Sequence, residues 1–313
     1  ALRGGGGGSF GVVVELVIRV HAAPRSYTQL GFEVPIDRRR PDALVAFLHN
    51  ATWWRDLPRG WAGWASLQPA CDDDASYPRL AGLFLYTAND DSAALPYPPE
   101  QGPAMRPFYD LVRRDGGSAH VERHDSLLYF EEHLGALRLG AGQRQFIGNV
   151  FVDEHALRGH ALTDYVVDVA ASMRDRRLCA HVVYYNLVLG GRVRDVPRLD
   201  AAVADGFRDA VFQVGPNAAW TDAARDAEHI AFSADVTRGL RAIASSSYIN
   251  EWTSARGENA MVDWRERFWG AANYRRLLRV KRAVDPCHIF WVPHGVGSED
   301  RAYETPGCVV DSE

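Results

Sequence analysis

The stretch that most constrains this chain runs from 263 to 286 and reads D-W-R-E-R-F-W-G-A-A-N-Y-R-R-L-L-R-V-K-R-A-V-D-P. Tyr274, Leu277, Leu278 and Val284 recur at helical spacing, and Asp285-Pro286 ends the run. Arg275, Arg276, Arg279, Lys281 and Arg282 fall on the other face, the last of them at the C-terminal end, where the helix dipole favours cations. Periodicity alone makes this a solvated amphipathic helix that caps a domain.

With 313 residues the chain can bury a sizeable core in one or two domains. A net charge of −5 argues against a nucleic-acid surface, and no apolar run reaches the length that spans a bilayer. The chain opens on Ala1-Leu2-Arg3 and runs straight into glycines, which reads as a cut within a domain. Four cysteines, Cys71, Cys179, Cys287 and Cys308, are scattered without a C-x-x-C pair; they permit a disulfide or two without demanding one. Asn50-Ala51-Thr52 is a glycosylation sequon of the kind that also arises by chance.

Residues 1–21 read A-L-R-G-G-G-G-G-S-F-G-V-V-V-E-L-V-I-R-V-H. The glycines admit a flexible linker, a nucleophile elbow (G-x-S-x-G over 7–11) or a phosphate cradle (G-x-G-x-x-G over 6–11). Elbow and cradle both need a strand before the loop and a helix after it. Here a β-branched run, 12–20, follows and reads as a buried strand. A tight turn remains, whose bare backbone lets another group approach closely. A serine hydrolase built on Ser9 stays open as a weaker alternative.

Between 22 and 244 the pattern predicts strands at 30–36, 61–68, 80–87 and 180–189. It predicts helices at 107–114, 153–177, 200–212 and 223–244, with another beginning at Pro41-Asp42. These blocks imply an α+β fold, an antiparallel sheet covered by helices. His120 and His124 lie four apart on an alternating stretch with His133 beyond, and Cys179-Ala180-His181 sets one thiol near one imidazole. Neither makes a metal site; interstrand and surface histidines are the plainer reading. The nine tryptophans read mainly as packing.

Several motifs in one order carry more than any of them singly. Y-x-N at 248–250, W-x-x-x-F-W-G-x-x-N-Y-x-x-L-L-x-x-K at 264–281, D-P-x-x-x-F at 285–290 and V-G-S-E-D at 296–300 together resemble the C-terminal segment of berberine-bridge-enzyme-like flavoproteins. These are FAD-linked oxidases of the vanillyl-alcohol-oxidase type, and V-G-S-E-D is similar to the fungal branch. The opening A-L-R-G-G-G-G-G-S-F-G-V-V is similar to the end of the same family's FAD-binding domain. Between them the likeness is thin, resting on L-G-G-R-V at 189–193 and P-N-A-A-W at 216–220, where Ala218 replaces a proline usual in fungal members.

The resemblance implies three parts: 1–22, the end of a PCMH-type FAD-binding domain; 23–244, a substrate domain; and 245–313, a return to the FAD-binding domain. It makes Gly11, Val12 and Val13, with Asn250, Asn273, Tyr274 and His294, candidate FAD contacts, His294 by a looser alignment. The family's flavin-attachment His and Cys lie upstream of Ala1, so the linkage, by one bond or two, stays open. Tyr248 and Glu251 are the candidate catalytic residues. Sugar-oxidising relatives often carry a second tyrosine after Y-x-N; this chain has Glu251, and a carboxylate in a partly desolvated pocket can take a substrate proton. If 248–251 is a strand, Tyr248 and Asn250 share a face and Glu251 points to the other.

By resemblance, then, the parent protein is a secreted, monomeric oxidase of an alcohol, lactol or amine carbon. Hydride passes to flavin N5 and O2 reoxidises the flavin. No metal, nucleic acid or membrane is implied. The chain alone is expected to bind FAD poorly, and a non-catalytic binding protein is the other class left open.

Overall fold

The computed structural model describes residues 1–24, 26–37, 60–71, 77–87, 98–126, 142–187, 192–198, 200–253 and 261–300, with single positions 39, 41, 44 and 128. Most of the helix expected from Pro41, the sequon at 50–52, His133 and Cys308 lie outside the described residues.

Eight antiparallel strands form one sheet among these residues: β1 (Tyr27–Pro35), β2 (Trp61–Gln68), β3 (Arg79–Thr87), β4 (Ser118–His124), β5 (Arg144–Ile147), β6 (Val150–Val152), β7 (His181–Asn186) and β8 (Phe212–Trp220). Their order is β4-β1-β3-β2-β7-β8-β5, with β6 also on β8. Five longer helices accompany them: α1 (Arg106–Arg114), α2 (Ala161–Asp175), α3 (Asp226–Ile243), α4 (Trp264–Trp269) and α5 (Ala271–Val284).

The period of two along the strands sorts the sheet's faces. Leu30, Phe32 and Val34 on β1, Leu67 on β2, Phe84 on β3, Val183 and Tyr185 on β7 and Phe212 and Val214 on β8 are buried in one core with side chains of α1, α2 and α3. The alternate positions, among them Trp64, Ser66, Tyr184, Asn186 and Gln213, face the other way; register pairs Trp64 with Asn186, Ser66 with Tyr184 and Asn186 with Gln213. One sheet face is covered by helices and the opposite one is rich in polar groups.

A second apolar cluster joins the chain's two ends. Trp264, Phe268, Trp269, Tyr274, Leu277 and Val296 are buried together, with Phe10 and Ile249 against them. The glycine tract winds into this cluster. Gly4, Gly6 and Gly8 have φ of 112°, 84° and 70°, a region where a side chain is strained. A Cβ on Gly4 would also lie 2.2 Å from the Val203 nitrogen. Arg3 accepts from the Ala202 N–H at 2.8 Å, and the Trp269 indole donates to the Gly4 carbonyl at 3.0 Å. A turn docked at that many points is no linker.

Three expectations are corrected. Segment 12–20 is not a buried strand: it pairs with nothing described, and its apolar side chains are exposed, Val14 by 93%. Nothing among the described residues offers its backbone a ladder, so β-propensity alone leaves it extended and wet. Residues 200–212 are not a helix but a loop with one turn, Gly206–Asp209, and Phe212 already opens β8. Gly215-Pro216 lies inside β8 where the strand changes partner from β6 to β5, so the missing proline N–H costs no ladder bond on that side. Lys281 is 1% exposed and ion-paired with Asp285, not on the solvated face of α5.

Cys71 and Cys179 form a disulfide, and Cys287 is also disulfide-bonded.

Candidate active site

Where β8 changes partner, β5 must end and β6 begin, and Gly148-Asn149 makes that bend. A Cβ on Gly215 would sit 1.8 Å from the Gly148 carbonyl oxygen, so the strands approach there only because 215 is glycine, and a Cβ on Gly148 would meet Thr237 Oγ1 of α3 at 2.3 Å. The bend points the fully buried Asn149 amide at the segment after α3. Its Nδ2 donates to the carbonyls of Tyr248 (2.9 Å) and Glu251 (2.6 Å), and its Oδ1 accepts the Tyr248 N–H at 2.6 Å. Ser247 Oγ donates to the Asn149 carbonyl at 2.9 Å, and Thr253 N–H to Ile147 O at 2.8 Å. Residues 247–253 are thereby pinned across the sheet.

Held there, Ile249–Glu251 is a single 3-10 turn with Tyr248 as its extended N-cap, not the strand expected. The tighter winding changes which side chains meet. Asn250 Nδ2 donates to the Tyr248 hydroxyl at 2.9 Å on the outer side. Glu251 turns to the polar sheet face, where its Oε2 accepts from Tyr184 Oη at 3.1 Å and from Gln213 Nε2 at 2.9 Å. Burial first, then the charge and hydrogen bond of Glu251, hold the Tyr184 phenol above its ordinary pKa, so it is a donor here and not a tyrosinate base. Phe207 packs edge-on against the Tyr248 ring at 4.9 Å.

The glycine turn borders the same place: a Cβ on Gly6 would lie 3.4 Å from Ile249. Around Gly7 and Gly11 a Cβ would meet nothing within 4 Å, and Val12 and Val13 beyond are exposed. This bare backbone, beside the exposed Asn250 amide, has the donor chemistry an oxygen-rich, phosphate-bearing group requires.

Other candidates have structural work. Tyr274 is buried; its hydroxyl donates to Glu299 at 2.6 Å and accepts the Gly297 N–H at 3.1 Å. Asn273 Nδ2 donates to the Ala202 carbonyl at 3.0 Å, tying α5 to the loop before β8. His294, with φ of 59°, leans on Trp264 at 5.6 Å; burial and then the Arg241 charge hold its pKa below the ordinary value. Ser9 is 1% exposed and its Oγ accepts the Val296 N–H at 3.1 Å, so it fastens the glycine turn to the V-G-S-E-D loop and is not presented to a substrate. That removes the basis of the hydrolase alternative.

His120 sits on β4 opposite Gly31, and Cys179 is spent in a disulfide. Among the described residues no group of three metal-ligating side chains converges. Sequence reasoning named Glu251 as a candidate but not the residues that hydrogen-bond to it. Tyr184 lay in plain alternation within H-V-V-Y-Y-N, whereas Gln213 and Asn149 sit at a helix end that does not exist and a bend that no motif announces.

Residues 247–297 match the family model described as Berberine and berberine like. Over that segment the chain is similar to this family. Over 96% of its length it is also 28% identical to the FAD-linked oxidoreductase easE of Claviceps purpurea, covering 60% of that protein. It is 26% identical to the VAO-type flavoprotein oxidase VAO615 of Thermothelomyces thermophilus, covering 50%. The chain thus spans about half the length of the curated relatives it matches. Among solved structures, the berberine bridge enzyme of Eschscholzia californica superposes with TM-score 0.69 at 15% identity, over 94% of this chain and 60% of that one. The VAO-type flavoprotein MtVAO713 of Myceliophthora thermophila gives 0.69 at 19%, over 90% and 50%. These likenesses carry the fold alone: a helix-backed antiparallel sheet followed by the segment at 247–297.

Proposed function

We propose that this chain forms the substrate-facing part of an FAD-linked oxidoreductase. On this reading Glu251 is the base that takes the proton from an alcohol, lactol or amine substrate lying on the polar sheet face. The observation that carries it is the Asn149 clamp, which presents a carboxylate to that face beside the glycine turn. Relatives named FAD-linked oxidoreductases and the berberine-like domain supply the chemical class.

Residues 1–22 and 245–313 are read as contributions to the FAD-binding domain, with the rest of that domain carried on a longer protein. The backbone of Gly11, Val12 and Val13, the exposed Asn250 and the half-buried Tyr248 would hold the cofactor. Asn273, Tyr274 and His294 would act behind them, through packing. Bound there, a flavin would supply the hydride acceptor, with O2 as its reoxidant. This chain's own residues bind and orient the substrate: Glu251 receives its proton and the amide-bearing strands fix its polar groups. The reading includes a small-molecule substrate and a monomeric, secreted protein; the Cys71–Cys179 bridge supports an oxidising compartment.

The test uses the full-length protein, recovered from culture medium and loaded with flavin. Peroxide release is screened over alcohols, sugars and amines, and Glu251→Gln is compared with wild type on any substrate found. A base of this kind contributes roughly a hundred-fold to ten-thousand-fold, so kcat should fall by that order. Unchanged kcat in the variant would remove Glu251 from the chemistry, and protein that never holds flavin would favour a binding role.

A further inference from the structure

Reading Glu251 as the base leaves open which of its two oxygens does the work. A free carboxylate rotates about its last torsion and offers either one, at a cost in rotamer entropy when a substrate must select it. Two donors from neighbouring strands meet Glu251, and both reach the same atom. Tyr184 on β7 and Gln213 on β8 lie 3.1 and 2.9 Å from Oε2, and 3.5 Å from each other. Oε1 accepts no hydrogen bond among the described residues.

Neither donor is free to turn elsewhere at no cost. The Asn186 amide donates to Gln213 Oε1 at 3.5 Å, which sets the Gln213 amide with its N–H groups toward the carboxylate. Tyr184 Oη has one alternative acceptor, the Gly148 carbonyl at 3.4 Å; the carboxylate is both nearer and charged, so it takes the hydrogen. The main chain beneath Glu251 is fixed separately by Asn149. Backbone and side chain are therefore held by different residues.

We propose that Tyr184 and Gln213 are positioning residues for Glu251: together they engage Oε2 and turn Oε1 to the hydroxyl or amine hydrogen of the substrate. The inference rests on the reading of Glu251 as the base. The proton leaves the substrate's O–H or N–H, its bonding pair stays on that oxygen or nitrogen, and Glu251 Oε1 gains the proton. Tyr184 and Gln213 keep theirs throughout. A substrate without such a donor has nothing to give Oε1, which restricts the class to carbons bearing a hydroxyl or an N–H.

Two measurements test this. The first needs no flavin: the present chain is labelled at tyrosine Cζ, and the Tyr184 signal is identified by its loss in Tyr184→Phe. In Glu251→Gln that signal should move, because the carboxylate it donates to is gone. The second is steady-state kinetics on the flavin-loaded full-length protein. Tyr184→Phe should lower kcat by roughly ten-fold to a hundred-fold with KM little changed, since a misaimed base slows the chemistry without loosening binding. Gln213→Met should act in the same direction, and thermal melting of each variant confirms that it folds. A Tyr184 signal indifferent to Glu251, or full kcat in both folded variants while Glu251→Gln is inactive, overturns the positioning role alone. Full kcat in Glu251→Gln overturns the base reading beneath it.

Discussion

At the scale of single residues, the segment matched by the family model buries polar contacts beside its apolar cluster. Lys281 and Asp285, one helical turn apart at the end of α5, are 1% and 3% exposed. The lysine donates to Asp285 and to the Phe290 carbonyl, and Asp285 accepts the N–H groups of Ile289 (2.8 Å) and Phe290 (3.0 Å). Burial opposes the charge on Asp285, but the Lys281 ammonium and these two N–H groups outweigh it and hold the carboxyl below its usual range. A pair so placed is costly to break from one side, because the other charge is then buried alone. Lys281→Met should cost about 3 to 5 kcal/mol in chemical denaturation; a loss under about 1 kcal/mol would place the pair in solvent. Sequence reasoning put Lys281 among the solvent-facing cations because helical phase alone cannot show a chain folding back. It is the turn after Asp285-Pro286 that covers this side of α5.

At the scale of elements, the legible parts are those whose sequence needs no distant partner to be decided. β2 is the expected span 61–68, and α3 follows its periodicity to within three residues at each end. β8 was hidden because Gly215-Pro216 is explicable only once β5 and β6 are known to part at that point. Segment 12–20 is the opposite case, a strand sequence without a sheet. Its exposed Val12, Val14, Leu16, Val17, Ile18 and Val20 form an edge that other sheets would accept. If the remainder of an FAD-binding domain pairs with it, Val14→Asp with Val17→Asp should separate two situations. In the present chain, stability should change by no more than about 0.5 kcal/mol, as for exposed substitutions, while solubility rises. In the full-length protein the same pair should cost several kcal/mol and lower flavin occupancy. Equal, small effects in both would show that 12–20 stays outside the folded unit.

At the scale of the whole molecule, the two faces of the sheet handle polar groups in opposite ways. The polar face joins Tyr184, Gln213 and Glu251 in hydrogen bonds, whereas the helix-covered face encloses a histidine pair. His181 on β7 and His229 on α3 are 0% and 1% exposed, with Nε2 and Nδ1 2.7 Å apart. Ser233 stands 3.4 Å from His181 Nδ1, and Phe232 and Trp220 close the sides. The charged groups around them are Arg176 on the turn after α2, and Asp222, Arg225, Asp226 and Glu228 at the start of α3. Burial first, then the positive charge His229 would carry if protonated and the Arg176 cation, push His181 down to about 4; burial and Arg225 lower His229 as well. A neutral pair satisfies itself with one shared hydrogen, and a charged one has no room for water.

The sign of the pH effect follows from that depression. Above about pH 6.5 both folded and unfolded states hold neutral histidine, and the stabilising difference is fully present. As pH falls from about 6.5 toward 4, the unfolded chain binds a proton that the folded core refuses, and stability declines until His181 is itself protonated. A depression of that size corresponds to a loss on the order of 2 to 3 kcal/mol. The buried Asp285 acts lower, because its contribution begins to fade only below the ordinary aspartate range, so the two effects occupy different windows. Denaturant midpoints measured at intervals from pH 7.5 to 4 should fall in wild type. In His181→Gln with His229→Gln, which keeps a buried donor and acceptor but cannot titrate, the slope between pH 6.5 and 4 should flatten. An unchanged slope in the double variant would assign the acid sensitivity to the carboxylates and leave the histidine pair a packing feature only.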